Sequence, residues 1–224
     1  IAYTTPSHQF PFGSVMSLAR RTGLLEWAVA NNTVIMEDDY DGEFRYESQP
    51  IPSLQSLDQN DCVIYVGTAS KILFPSLRLG WMVVPGSMVG MFERLKTLSD
   101  TNPSTLEQLA FGQFITDGYL ERHIHWMRKQ HRNRRSALLS SLDQALGDKV
   151  EVVGTQAGIH ILLRVPALSN VYTERLIELA AAEHVGIYSS TLYYSGQPPE
   201  CVELILGYAA MTPGQIQTGI KRLA

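Results

Sequence analysis

The chain has 224 residues, of which 45% are hydrophobic and 18% are charged, and its formal net charge is −4. This composition supports a globular protein with a sizeable core and excludes an intrinsically disordered chain. The slightly acidic balance also argues against a protein that binds nucleic acid over its whole surface.

The cysteine content and the hydropathy pattern favour a cytoplasmic protein. Cys62 and Cys201 have no CxxC spacing, and we expect two buried thiols in a reducing compartment. No apolar run reaches the roughly 18 residues that a membrane span needs, and no secretory leader opens the sequence. Because the chain starts at Ile1 inside a strand-like segment, we expect it to be a fragment of a longer protein.

Strands and helices alternate in the first half of the sequence. The pattern predicts a strand at Ile1–Thr5, a helix at Ser14–Asn31 and a buried strand at Val34–Met36 that runs into acidic residues. Two further strands, VIYVGT and LGWMVVP, follow a loop that contains proline. This alternation predicts an α/β fold with a mainly parallel sheet, whose functional groups gather at the carboxyl ends of the strands.

The second half begins with helices and then changes to an α+β pattern. We predict helices at Met88–Leu98, Thr105–Thr116 and Tyr119–Leu146, followed by a hairpin around Gly154–Gly158. A helix at Thr173–Glu183, the strands VGIYSS and VELILGY, and a helix at Thr212–Leu223 complete the chain. The predicted organisation is part of a large domain at residues 1–118, a long interdomain helix at 119–147 and a small α+β domain at 148–224.

Several common kinds of site are disfavoured. The acidic run that starts at Glu37 resembles a calcium loop, but Ser48 occupies the position of the closing glutamate and a strand precedes the run. His123 and His125 lie two apart on a predicted helix, so they point in different directions and cannot share a metal. No GxSxG motif supports a hydrolase. The basic run at residues 128–135 is better explained as the solvated face of an amphipathic helix than as a nucleic-acid patch.

Lys71 lies three residues after the end of the apolar strand VIYVGT, and burial there would favour a neutral amine that can attack a carbonyl. The general cofactor of that chemistry is pyridoxal 5'-phosphate. This cofactor needs a carboxylate at its pyridine nitrogen, a donor at its phenolate oxygen and a cup for its phosphate. Asp38 and Tyr40, two apart at a strand end, project to one side and suit the first two roles. The residue types that suit the phosphate cup are those of Thr68, Ser70 and Arg78.

Four segments carry a resemblance to a known family: TPSHQFPFG, EDDYDGEF, GTASKILFPSLRLGWMV and LGYAAMTPGQIQTGIKRLA. In order and spacing they resemble the MocR-type regulators of the GntR superfamily, which join a winged helix-turn-helix DNA-binding domain to a fold-type I aminotransferase-like domain. The resemblance implies a homodimer in which Lys71 forms the internal aldimine. It implies that Asp38 pairs with the pyridine nitrogen, that Tyr40 pairs with the phenolate oxygen, and that the phosphate contacts are Thr68, Ser70 and Arg78.

The sequence departs from true aminotransferases in three places. Phe10 stands where those enzymes usually have an asparagine, as it does in MocR-type proteins. The segment Leu204–Ala210 has no arginine to bind a substrate carboxylate, whereas the GABA-responsive regulator has an arginine where Ala210 stands. Loss of such a clamp weakens the binding of an ordinary amino acid. The earlier segment of the fold, which supplies a phosphate-binding helix and an aromatic residue on the cofactor ring, is not in this sequence.

Three functional hypotheses follow. The favoured one is an effector-sensing domain that binds pyridoxal phosphate, responds to a small amine or amino-acid-derived ligand, and controls DNA binding through an N-terminal domain outside this chain. The second is a catalytically active class I/II aminotransferase, in which Lys71 also moves a proton. The third is an interaction domain without cofactor that retains these residues as relics.

Overall fold

The structure is a computed structural model that describes residues 1–46, 51–101 and 104–224. The chain divides into two compact units. Unit 1 comprises Ile1–Gln9, Val15–Glu43 and Gln49–Met127, and unit 2 comprises Phe10–Ser14, Phe44–Ser48 and Arg128–Ala224. The domain boundaries expected from the sequence, at residues 118 and 147, stay a prediction.

Unit 1 contains a four-stranded sheet with the strand order β1-β2-β3-β4. The first three strands are parallel, and β4 is antiparallel to β3. The mainly parallel sheet predicted from the sequence is therefore confirmed. The strands are β1 (Ala2–Thr4), β2 (Ile35–Asp39), β3 (Val63–Thr68) and β4 (Gly80–Val83).

The helices of unit 1 follow the sequence prediction with at most small shifts at their ends, except for the short helix Leu54–Leu57, which was not predicted. They are α1 (Leu18–Ala30), α2 (Leu54–Leu57), α3 (Val89–Asp100), α4 (Thr105–Thr116) and the first part of α5 (Tyr119–Leu146). Helix α1 begins later than predicted because the Ser17 side chain accepts a hydrogen bond from the backbone of Arg20, at 3.4 Å, and caps the helix. Among the described residues, no helix combines the length and the apolar character needed to cross a membrane.

A buried polar network holds the loops of unit 1 against the sheet. Arg21 is fully buried and donates to the backbone carbonyls of Pro6 and Pro52, each at 2.9 Å, and of Met16 at 3.1 Å. Its guanidinium lies 3.6 Å from the carboxylate of Glu37, which is also fully buried. The two oxygens of that carboxylate accept the first backbone N–H groups of α2, each at 2.9 Å. Each charged group is thereby paired and hydrogen-bonded, as burial requires.

Unit 2 contains an antiparallel sheet with the strand order β5-β6-β8-β7. Its strands are β5 (Glu151–Val153), β6 (His160–Ser169), β7 (Tyr188–Ser189) and β8 (Cys201–Gly207). The sheet packs with the second part of α5, with α6 (Thr173–Ala182) and with α7 (Pro213–Leu223). The predicted hairpin is confirmed by the pairing of β5 with β6, whereas the predicted strand VGIYSS is reduced to the two residues of β7.

Two short segments from the first part of the sequence belong to unit 2. The Phe12 ring meets the Tyr194 ring edge-on, with centroids 5.6 Å apart. The Phe44 carbonyl accepts the N–H of Gly158 at 2.7 Å, and the Tyr46 hydroxyl donates to the Gly158 carbonyl at 2.7 Å. Gly158 has φ +77°, a left-handed conformation that favours glycine. Backbone and side-chain contacts together therefore fix these segments within unit 2.

A buried carboxylate on β8 connects several polar side chains of unit 2. Glu203 on β8 is 3% exposed and accepts hydrogen bonds from Arg164 at 2.7 Å, and from Ser190 and Tyr194 at 2.8 Å each. Although burial alone would raise the pKa of Glu203, these three donors lower the pKa below its ordinary value. The carboxylate is therefore stabilised in its charged form.

Candidate functional site

The candidate site lies at the carboxyl edge of the unit 1 sheet. Strands β2 and β3 are parallel, with Asp38 opposite Val66 and Asp39 opposite Gly67. Because parallel strands end at the same edge, the acidic residues that end β2 and the residues that follow β3 are brought to one side of the sheet. The sequence predicted this meeting from the order of the segments.

Asp38 is half-buried and accepts a hydrogen bond from the Tyr3 hydroxyl of β1 at 2.5 Å. Burial, followed by the hydrogen bond and the charge of Asp38, raises the pKa of Tyr3 to about 12. Tyr3 therefore remains a neutral donor near pH 7, and it orients the carboxylate that the sequence assigned to the pyridine nitrogen. Tyr3 itself was missed by the sequence analysis.

Tyr40 follows β2 and points its hydroxyl at the loop after β1. The hydroxyl donates to the His8 carbonyl at 2.9 Å and lies 3.3 Å from the Nδ1 atom of His8. Burial raises the pKa of Tyr40 well above its ordinary value, and the charges of Asp41 and Asp38 raise it further. The Tyr40 hydroxyl therefore keeps its proton and acts as a donor.

His8 and Asp41 form a buried pair beside Tyr40 that the sequence analysis also missed. Their side chains are 0% and 1% exposed, and Nδ1 of His8 lies 2.9 Å from Oδ2 of Asp41. Burial raises the pKa of Asp41, and the hydrogen bond and charge of His8 oppose that rise only in part. The sequence did contain a signal for this pair. His8 follows β1 and Asp41 follows β2, and parallel pairing of these strands places both residues at the same edge of the sheet.

The segment after β3 is held by hydrogen bonds to Leu79, the residue directly before β4. The Thr68 hydroxyl donates to the Leu79 carbonyl at 3.3 Å and accepts the N–H of Ser70 at 3.1 Å. The N–H of Ala69 donates to the same carbonyl at 3.0 Å. Thr68 and Ser70, two of the three residues predicted for the phosphate cup, are therefore hydrogen-bonded to each other.

Lys71 differs from the sequence expectation in its burial. Its neighbours Ala69 and Ile72 are 0% and 1% exposed, but the Lys71 side chain itself is exposed. The expectation that Lys71 is buried is therefore wrong for this structure, because β3 ends at Thr68 and the chain has already turned where Lys71 lies. The positive charge of Lys71 still acts on the Asp41 carboxyl and favours a lower pKa there.

Arg78 lies at the end of the turn Pro75–Leu77 with φ +52°. A residue other than glycine adopts this left-handed conformation at a cost of roughly 1 kcal/mol. The Arg78 side chain is exposed. Arg78 therefore combines an unfavourable backbone conformation with an exposed positive charge.

Two close contacts support the segment that carries Lys71. Gly67 on β3 lies under the ring of Trp81 on β4, and a Cβ atom at residue 67 would come within 2.4 Å of that ring. The Trp81 ring stacks on Phe111 of α4 with centroids 6.2 Å apart. A ring nitrogen of His123 on α5 lies 2.9 Å from the Ile72 carbonyl. These contacts hold the backbone on both sides of Lys71.

The acidic run has internal partners for its side chains. Asp39 accepts a hydrogen bond from Tyr65 at 3.0 Å, and the carboxylates of residues 37, 38 and 41 have the partners given above. Ser48, on which the argument against a calcium loop partly depended, lies outside the described residues.

Two sequence departures fall in unit 2. Phe10 meets the rings of His160 and Tyr193 edge-on, with centroids 5.0 and 4.9 Å apart. In the segment Leu204–Ala210, the Ala209 carbonyl accepts a hydrogen bond from Arg134 of α5 at 2.6 Å. A guanidinium therefore contacts the segment that has no arginine of its own.

Comparison with known proteins establishes the family. Residues 2–223 match the family described as aminotransferase class I and II. The chain belongs to this family. Two curated relatives of the chain are the uncharacterized HTH-type transcriptional regulator YhdI of Bacillus subtilis, 43% identical over 223 residues, and the probable rhizopine catabolism regulatory protein MocR of Rhizobium meliloti, 34% identical over 224 residues. All of this chain is covered in both matches, against 47% and 45% of the relatives, so the chain spans about half of their length.

Solved aminotransferase structures share the fold. Kynurenine aminotransferase of Pyrococcus horikoshii, solved with PMP, is 31% identical with a TM-score of 0.88, over 99% of this chain and 54% of that one. The α-aminoadipate aminotransferase LysN of Thermus thermophilus, complexed with N-(5'-phosphopyridoxyl)-L-leucine, is 26% identical with a TM-score of 0.88, over 99% and 57%. The predicted fold-type I aminotransferase-like class and the resemblance to MocR-type regulators are confirmed.

Proposed function

We propose that this aminotransferase-family chain is the effector-sensing domain of a DNA-binding transcriptional regulator and binds pyridoxal phosphate. One observation carries the proposal: Lys71 follows β3 at the sheet edge where Asp38 lies near the end of β2 and Tyr40 follows that strand. The names of the regulator relatives and the phosphopyridoxyl ligand of LysN support it.

In this proposal each predicted residue has one role. The cofactor, when bound, supplies a carbonyl that reacts with amines and a ring that withdraws electrons. The exposed Lys71 amine would hold the cofactor, and Asp38, oriented by Tyr3, would keep the pyridine nitrogen protonated through a charge-assisted hydrogen bond. Tyr40 would donate to the phenolate oxygen. The residues that would hold the phosphate are Thr68, Ser70 and Arg78.

The effector in this proposal is a small amine or an amino-acid-derived compound that takes the place of the Lys71 amine. Its binding shifts the protein between two conformations that bind the effector with different affinity, and the parent protein's affinity for DNA changes with that shift. DNA contact belongs to an N-terminal domain of the kind that the HTH relatives' names describe. A homodimer in the cytoplasm completes the proposal.

A catalytically active aminotransferase is the second candidate. The similarity to kynurenine aminotransferase and LysN favours it. In that case Lys71 would also carry a proton between substrate and cofactor atoms. The absence of arginine from Leu204–Ala210 favours the regulator, because a bidentate guanidinium is the usual partner of a substrate carboxylate.

The first experiment adds pyridoxal phosphate to the complete natural protein and measures visible absorbance. We expect a visible band that Lys71→Ala abolishes, because only a covalent link to an amine shifts the cofactor's absorbance in this way. Lys149→Ala, at an exposed lysine in unit 2, is the matched control and should retain the band. An unchanged band in Lys71→Ala would contradict the assignment.

The second experiment separates the regulator from the enzyme. Amino-group transfer is measured over a panel of amino acids with the loaded protein. The proposal expects slow turnover, and a rate above about 1 per second would instead identify an aminotransferase.

A further inference from the structure

The Tyr40 hydroxyl, which the proposed function assigns to the cofactor, is engaged with another acceptor in this structure. It donates to the His8 carbonyl at 2.9 Å. A tyrosine hydroxyl has a single proton to donate. It can therefore serve the His8 carbonyl or the phenolate oxygen of a bound cofactor, but not both fully at once.

We infer that His8 and Asp41 position Tyr40, so that its hydroxyl turns its one proton from the His8 carbonyl to the cofactor's phenolate oxygen when the site is loaded. The inference rests on the proposed function, since it concerns the same site. It assigns His8 and Asp41 as positioning residues, because they act through Tyr40.

The burial of the pair supports this role. The His8 and Asp41 side chains are 0% and 1% exposed and are joined at 2.9 Å. The hydrogen bond between the buried carboxylate and the buried imidazole holds both side chains in place. His8, whose carbonyl accepts the hydrogen bond from Tyr40, is thus held in place by the hydrogen bond between its ring and Asp41. Nδ1 of the same ring lies 3.3 Å from the Tyr40 oxygen.

The titratable groups around Tyr40 come from three elements and the loops that follow them. Asp38, Asp39 and Asp41 belong to β2 and the turn after it, and their negative charges keep the hydroxyl protonated. Tyr3 on β1 also faces Tyr40. After β3, the positive charge of Lys71 acts on Asp41. The surrounding charge is therefore mostly negative, which favours a hydroxyl that donates.

The test measures how the pH midpoint of the loaded protein's visible absorbance depends on each residue. A donor to an ionised oxygen stabilises the ionised form, so its loss moves the midpoint to higher pH. We expect a rise of about one pH unit for Tyr40→Phe and about half a unit for Asp41→Asn. If Asp41 acts through Tyr40, Asp41→Asn should add less than about 0.2 units in the Tyr40→Phe background.

Asp39→Asn is the matched control, because it removes a nearby carboxylate, at the end of β2, whose partner is Tyr65 and not His8. Equal shifts in the Asp39 and Asp41 variants, or full additivity with Tyr40→Phe, would overturn the inference and leave the Lys71 assignment intact. A natural protein without any visible band would overturn both. If the Asp41→Asn protein does not fold, His8→Phe replaces it, alone and combined with Tyr40→Phe. This substitution removes the same hydrogen bond and keeps a ring in place.

Discussion

The Glu203 network in unit 2 makes a quantitative prediction about stability. We consider Glu203→Gln, which keeps the shape of the side chain and removes its charge. Two hydroxyl donors to a buried carboxylate contribute about 1.5 kcal/mol each. The Arg164 side chain is 35% exposed, so screening by solvent reduces its contribution to about 1 kcal/mol. The glutamine oxygen retains about 1 kcal/mol of these interactions, and the expected loss is about 3 kcal/mol.

The assay is urea unfolding of the complete chain at pH 7, with Glu178→Gln as the matched control. Glu178 also pairs with an arginine in unit 2, at 3.0 Å, but both side chains of that pair are 67% exposed. We expect the control to lose less than about 0.5 kcal/mol. Equal losses in the two variants would refute the reasoning, because burial is the difference between the two pairs.

The Glu203 network also predicts how the free energy of unfolding depends on pH. The pKa of Glu203 is lower in the folded chain than its ordinary value of 4.5. Such a carboxyl group contributes its stability in full above the unfolded pKa and loses it as the pH falls through the folded pKa. The difference in unfolding free energy between the natural chain and Glu203→Gln should therefore be constant near neutrality and shrink below about pH 4.5. A difference that grows on acidification would contradict the assigned direction.

Three further substitutions test the fold around the sites. Gly67→Ala should destabilise unit 1 by about 1–3 kcal/mol in urea unfolding, since the new Cβ would overlap the Trp81 ring; no loss would show that the ring moves freely. Thr212→Ala removes the side chain that forms a capping box with Gln215 and should cost about 1 kcal/mol by the same measurement; an unchanged midpoint would show that the cap contributes nothing. Arg21→Met leaves three backbone carbonyls without their donor. It should lower the thermal midpoint more than Gly67→Ala or Thr212→Ala lowers it, and a smaller effect would mean that water replaces the guanidinium.

Local patterns in the sequence predicted most of the architecture. The helices at Thr105–Thr116 and Tyr119–Leu146 are observed with the predicted bounds, because apolar residues recur at helical spacing and turn residues punctuate the ends. The short helix Leu54–Leu57 was not predicted, although the Ser53 side chain caps it locally, because its contact with Glu37 is distant in sequence. Its first two N–H groups donate to Glu37 on β2, and the residues around Leu54 give no sign of that contact.

The candidate site was predicted in its residue types but not in its internal bonding. Sequence order is enough to place Asp38 and Lys71 at one sheet edge, because parallel strands end together. It does not reveal that Tyr3 donates to Asp38 or that His8 pairs with Asp41, as these contacts join residues more than 30 positions apart. It also did not reveal the exposure of Lys71, which depends on how the chain turns after β3.

The composition of unit 2 limits how this protein can be divided. A truncated chain that starts at residue 128 would keep all four strands of that sheet, yet it would lack the segments at 10–14 and 44–46. The N–H of Gly158 would lose the Phe44 carbonyl, and Tyr194 would lose its contact with Phe12. Such a truncation should therefore be less stable than its own secondary structure suggests, and an exchange of this module between proteins would have to carry both segments with it.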